Sequence, residues 1–261
     1  MITFTLEQWY AWINGLFWPL ARILALFMVA PLFSENSVPT RARLGLGILL
    51  GIAIAPMAGP LPDVPPASWA GLWILAQQIL IGLALGLCLR MALAVVQTAG
   101  EFVGLQMGLS FATFFEPGTN AQTSVLSRLF YWIALLVFIA LDGHLLLLAA
   151  LVHTFEVLPI ADARLGAGGP GALIDWSAQV MTLGLVLSLP LVTALLTMNL
   201  SMGILNRTAP QLSVFAVGFP LSLLAGLVML TIVLPQTTPF LERLFADAYM
   251  AFERIVLGFR P

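Results

Sequence analysis

Long, nearly unbroken runs of apolar residues fill the chain, and most charged positions fall outside them. Windows of about 20 residues, the length an α-helix needs to cross a hydrocarbon core, pick out six segments: 10–33, 44–61, 69–99, 129–152, 180–205 and 212–234. Stretches such as 145–152 and 223–234 are almost continuously apolar, which excludes the alternating pattern of a membrane β-barrel. The pattern predicts an all-α, polytopic membrane protein with about six long hydrophobic helices interrupted by proline and glycine. Pro19, Pro31, Pro56, Pro190 and Pro220 lie in or near the apolar cores. Each lacks a backbone donor, so its helix is predicted to bend or break and to need protein or a wet cavity over the freed carbonyls. Gly47 and Gly51, Gly82 and Gly86, and Gly100, Gly104 and Gly108 recur at i, i+4. Such faces let a second backbone approach closely, either within the chain or from a partner subunit.

Past Pro235 and Pro239 the periodicity changes. Phe240, Leu244, Phe245, Ala248, Tyr249, Phe252, Ile255 and Val256 recur at helical spacing, with Glu242, Arg243, Asp247, Glu253 and Arg254 opposite them. This predicts an amphipathic helix that lies on a surface or docks on a partner, an interfacial anchor being the more frequent use. The organisation is then one membrane-embedded domain over 1–261. It comprises an N-terminal helical part, 1–175, with a loop near 104–117, a C-terminal helical hairpin, 176–234, and the amphipathic tail, 235–261.

Composition agrees. Of 261 residues 61% are hydrophobic and 8% charged, far from the roughly 25% charged of a soluble domain. The ten basic residues are all arginine against twelve acids, a net charge of −2 with no basic footprint for nucleic acid. Cys88 is the single cysteine, which excludes an internal disulfide and a cysteine-ligated zinc site. Glu7 stands where a signal peptide would carry positive charge, so the first apolar stretch is expected to stay in the mature protein. Arg41 and Arg43 follow the first segment and Arg207 lies between the fifth and sixth, whereas 62–68 has no basic residue. If all six segments cross simply, the first and fifth loops are cytoplasmic and both termini outside. A re-entrant stretch within 100–128 would change that count.

Candidate chemistry is sparse. Asp142 and His144 interrupt an apolar stretch, where ionisable groups are costly and mark either a proton relay or a helix break eased by Gly143. No second acid or histidine continues a relay, which favours the break. Arg22 and Arg90 lie inside apolar segments and must each face a carbonyl, a carboxylate or an aqueous passage. Gln77, Gln78, Gln97, Glu101 and Gln106 trail along the third segment, as a wet stripe or as ordinary interhelical hydrogen bonds. Between 100 and 117, glycines mix with Met107, Leu109, Phe111, Phe114 and Phe115, side chains able to fill a pore and exclude water, or simply to pack a loop. No HExxH, GxSxG or Walker motif occurs, His144 and His153 are too far apart for a one-turn metal clamp, and no cofactor is indicated.

Residues 203–221 read GILNRTAPQLSVFAVGFPL. Arg207, Ala209, Pro210, Gln211, Phe215, Gly218, Phe219 and Pro220 in this stretch resemble the most recognisable segment of the FliR family of flagellar export-gate proteins. Pro31, Phe33, Val38, Pro39, Glu101, Gly104, Gln106, Gly108, Pro117, Gly143 and His144 extend the resemblance along nearly the whole chain. Ser213 and Glu116 depart from residues usual in the family, Asn and Asp. The related virulence-type export subunit is the near competitor, and the Gly218-Phe219-Pro220 ending looks more like the flagellar branch.

The resemblance implies a structural and gating subunit, not an enzyme, in the bacterial inner membrane at the flagellar basal body. It implies a helical hetero-oligomeric ring with FliP and FliQ, FlhB around the cytoplasmic face and FlhA nearby. Exported rod, hook and filament proteins are the passing substrates, membrane lipid surrounds the assembly, and the energy comes from the proton gradient and an associated ATPase. It also implies a plug over Gln106, Met107, Gly108, Leu109, Ser110, Phe111, Phe114 and Phe115. A turn or partner contact is implied at Arg207, Pro210, Gln211, Phe215, Gly218 and Pro220. A secondary transporter, suggested by the broken helices with Arg90, Asp142 and His144, is the alternative from another class.

Overall fold

The computed structural model describes residues 6–35, 38–59, 62, 64–109, 125–208 and 218–260, and of residues 6–14 the backbone only. Among them the regular structure is helical, with no strand. Helix α1 is Leu6–Val29 and the short α2 is Pro31–Ser34. Helix α3 is Thr40–Ile54, continued by a 3-10 turn Ala55–Met57. Then come α4, Trp69–Gln106; α5, Val125–Ala140; α6, Gly143–Val157; and α7, Gly168–Thr208. Helix α8, Phe219–Val233, runs through the 3-10 turn Leu234–Thr237 into α9, Thr238–Gly258.

The described residues hold four helices long and apolar enough to cross a membrane, against the six segments expected from hydropathy. They are Thr40–Met57, Trp69–Gln106, Gly168–Thr208 and Phe219–Gly258, with α5 and α6 together a fifth if they form one broken span. Helix α1 runs 24 residues, and side chains are described for its part Gly15–Val29, which is apolar. Hydropathy windows find apolar length but not where a helix continues. Helix α4 runs 38 residues and α7 41, about 57 and 62 Å at 1.5 Å per residue. Both exceed the roughly 30 Å of a hydrocarbon core, so they must tilt steeply or project from it.

Two of the five prolines sit inside unbroken helices, Pro19 in α1 and Pro190 in α7. Pro31 and Pro220 open α2 and α8, and Pro56 lies in the 3-10 turn. Proline suits a helix's first turn because its missing N–H has no partner there in any case. These three therefore mark element boundaries, as expected, and the other two do not.

The chain forms two compact units. The first comprises residues 1–91, 142–177 and 246–261, and the second 92–141 and 178–245. In the first, a Cβ on Gly82 would strike the Arg22 carbonyl and lie 2.8 Å from the Ala25 Cβ, and one on Gly86 would lie 3.0 Å from the Leu26 carbonyl. Gly47 meets Leu24 and Gly51 meets Leu16 in the same way. These glycines seat α3 and α4 on α1. In the second unit a Cβ on Gly100 would come within 2.6 Å of the Ser127 Cα, so α4 and α5 touch backbone to backbone there. All five glycines serve packing within the chain.

The tail is helical and amphipathic, but its apolar face is not left for lipid or a partner. Leu241, Leu244, Phe245, Ala248, Phe252, Ile255 and Val256 are buried within the chain. Phe138 packs edge-on against Phe245 with ring centroids 5.1 Å apart, the Tyr249 hydroxyl donates to the Gly143 carbonyl (2.6 Å), and Gly166 N–H donates to the Phe259 carbonyl (2.9 Å). Period alone shows that a helix has an apolar face, not what covers it.

Candidate functional site

The loop expected to act as a plug begins where α4 ends, and that end is tightly determined. Gly108 has φ +77°, a conformation L side chains rarely adopt. Its N–H donates to the Leu105 carbonyl (3.1 Å) and Leu109 N–H to the Gly104 carbonyl (3.0 Å). This is a Schellman motif with glycine one residue past the cap, and it satisfies two of the four carbonyls that a helix C-terminus leaves free. The Asn199 side-chain amide of α7 donates to a third, the Gln106 carbonyl, at 3.4 Å. That contact orients the amide with its oxygen away from Gln106, and the Asn199 Oδ1 lies 3.0 Å from the Ser222 hydroxyl of α8. The single Ser222 proton serves either that oxygen or the Gly218 carbonyl at 2.9 Å.

Met107 is 1% exposed. It lies over Gly226 of α8, where a Cβ would fall 2.6 Å from the Met107 Cε and 2.8 Å from its Sδ. Of the expected plug residues, then, Gln106, Met107 and Gly108 form the packed root of the loop, and Leu109, half-buried, supplies the last capping bond. Ser110, Phe111, Phe114 and Phe115 lie outside the described residues. Asn199, Ser222 and Gly226 escaped the sequence reading. An amide within an apolar segment was the available signal, since such a group needs a partner.

Of the expected turn residues, Arg207 is exposed in the last turn of α7, where its charge complements the helix dipole. Gly218 is buried at the start of α8 and Pro220 is exposed in its first turn. Pro210, Gln211 and Phe215 lie outside the described residues.

The other polar group at depth is Arg22, fully buried in the first unit. Its Nε donates to Gln78 Oε1 of α4 (2.8 Å), Nη1 to Thr154 Oγ1 of α6 (3.0 Å) and Nη2 to the Leu158 carbonyl (2.9 Å). The guanidinium lies over the Phe155 ring, 4.1 Å from its centroid. Gln77 donates to the Ala163 carbonyl at 2.6 Å. Gln77 and Gln78 thus make specific bonds within the chain instead of lining a wet stripe, while Glu101 is exposed.

Arg90 is exposed. Asp142, at φ +55°, is itself the left-handed residue between α5 and α6, and its side chain is exposed and makes no cap bond. The sequence reading gave that easing role to Gly143, which is instead buried under Tyr249. His153 Nδ1 lies 3.1 Å from Glu156 Oε2, a contact that joins neither Asp142 nor His144 to a relay.

The end of α4 is thus capped by glycine and held by an amide on α7 and a glycine seat on α8. Comparison with known proteins gives the family. The chain matches the bacterial export proteins, family 1, over residues 13–248. It is 47% identical over 256 residues to the flagellar biosynthetic protein FliR of Escherichia coli (strain K12), covering 98% of each chain. Identity to the FliR of Pectobacterium carotovorum subsp. carotovorum is 43% over 249 residues, 95% of each chain. To that of Bacillus subtilis (strain 168) it is 33% over 217 residues, 81% of this chain and 82% of the relative. The chain therefore belongs to the FliR family of bacterial export proteins and is a membrane subunit of the flagellar type III export apparatus.

Proposed function

We propose that the chain completes the inner-membrane export gate of the flagellar basal body. In this reading it joins FliP and FliQ in a hetero-oligomeric ring around the protein-conducting passage, with FlhB at the cytoplasmic face and FlhA nearby. Its role is structural and gating, not enzymatic. Rod, hook and filament proteins pass through the ring, and the segment from Gln106 to Phe115 closes it between passages. The turn around Arg207, Pro210, Gln211, Phe215, Gly218 and Pro220 contacts FlhB or FliQ.

The observation that carries the gating role is the fixed root of the loop. A plug must sit in a defined place to exclude water, and α4 delivers its last turn with three of its four terminal carbonyls bonded and Met107 buried. Beyond the cap, Phe111, Phe114 and Phe115 supply rings large enough to fill a narrow passage.

The test replaces residues 110–115 by a flexible Gly-Ser linker and leaves 106–109 intact, so that the packed root is not disturbed. In complexes assembled with FliP and FliQ, small-solute leakage should rise while the yield of complex stays normal. Unchanged leakage at normal yield removes the plug role.

A further inference from the structure

We propose that Asn199, Ser222 and Gly226 are positioning residues of the gate, holding the root of the closing loop against two helices. The inference rests on the plug reading above and concerns only the residues that precede the loop. Two contacts with different chemistry converge on the same two positions. One is polar: the Gln106 carbonyl, left free by the helix end, accepts from Asn199, whose own oxygen faces the Ser222 hydroxyl. The other is steric: the Met107 side chain occupies the volume a side chain at Gly226 would need, with Cε, Cγ and Sδ all within 2.8 Å of a Cβ there. Gly226 lies one turn beyond Ser222, at i+4, so both contacts come from one face of α8.

That arrangement holds the root firmly in place without making it unyielding. An amide bond at 3.4 Å is near the limit of a hydrogen bond. A methionine on a glycine slides more readily than a branched side chain in a close-fitting pocket. The root therefore sets where the closing loop begins, through contacts that cost little to rearrange. These residues act on the loop through Gln106 and Met107.

The experiment uses the full chain assembled with its ring partners in liposomes, measuring small-solute leakage alongside complex yield, with the 110–115 linker variant as reference. Gly226→Val should raise leakage at least severalfold, because the added side chain displaces Met107. Met107→Ala in the same chain should return it close to wild type, the valine now filling the vacated space. Gly226→Ala, whose methyl also meets Met107 but is smaller than the valine side chain, and Asn199→Ala should each give a smaller rise, and both remain informative if the valine variant does not assemble. A general loss of stability would make the Met107→Ala, Gly226→Val double variant worse than either single one, so rescue is the decisive readout. If the linker variant leaks while Gly226→Val, Gly226→Ala and Asn199→Ala stay tight at normal yield, the positioning role is overturned and the plug stands. If the linker variant itself stays tight, the plug reading falls, and this inference with it.

Discussion

In the first unit a full positive charge is buried; at the root of the loop in the second, the polar atoms are an amide, a hydroxyl and backbone carbonyls. Arg22 binds two helices besides its own and the residue after α6, through three directional bonds and a ring face. Among the described residues no carboxylate is its partner, and each acceptor is a neutral dipole that must point the right way. Such a group tolerates little rearrangement, because a guanidinium losing even one partner inside an apolar body is left partly uncompensated. The root of the loop in the second unit is built from the opposite materials. Its bonds are neutral, one is long, and its main contact is a flexible thioether on a glycine. The first site is held by a charge that needs every partner, the second by neutral contacts that each cost less to lose.

Breaking the charged site should have the largest effect. Arg22→Ala removes hydrogen bonds from a charged donor, each of about 1.5–3 kcal/mol, and strands the Gln78 and Leu158 oxygens. The detergent-solubilised chain should lose its cooperative thermal transition or melt many degrees lower. Arg22→Met sharpens the point, since a neutral side chain of similar length keeps much of the packing. It should fall between wild type and alanine. An alanine variant that melts like wild type would show that the charge is not what holds the first unit together.

A smaller effect is expected at the helix cap of the second unit. Gly108→Val forces a β-branched residue to φ +77°, against a left-handed penalty of about 1–2 kcal/mol. The cap should fray, and hydrogen exchange at the amides of 108 and 109 should accelerate well beyond the rest of α4. Gly108→Asn, the side chain that best tolerates this conformation after glycine, should restore most of the protection. Equal exchange in valine and asparagine variants would remove the backbone argument for this position.

How much of this was legible in the sequence depended on the distance over which each feature is decided. Apolar length is local, so the all-helical membrane class was visible, as was the amphipathic period of 238–258. Helix continuity was less so: the loop is expected from sequence near 104–117, yet 104–106 complete α4, and Gly108 ends it. The partners of Arg22 lie 56, 132 and 136 residues away, and no spacing rule finds them. The gate root shows both sides of this. Gly104 and Gly108 stood out as a repeat, but capping, not a helix-packing stripe, is the role of Gly108. Its counterparts Asn199, Ser222 and Gly226 are ordinary residues on distant helices until the fold sets them against it.

Asp142 supplies the smallest and most discriminating test, because it is an ionisable group of the first unit that is not held as Arg22 is. Its side chain is exposed and makes no cap bond, while its backbone, at φ +55°, carries the break between α5 and α6. Two effects of Asp142→Gly oppose each other. Glycine relieves the left-handed strain, and its extra freedom in the unfolded chain together with the lost carboxylate at a helix N-terminus takes most of that gain back. The net change in stability should stay within about 1 kcal/mol. Asp142→Val keeps no charge and cannot adopt the conformation easily, so it should lose about 1–2 kcal/mol. If melting temperature and flagellar export follow the order glycine, aspartate, valine, the position acts through its backbone. If Asp142→Gly and Asp142→Asn abolish export equally while melting like wild type, the carboxylate itself works, and the first unit holds a second functional charge beside Arg22.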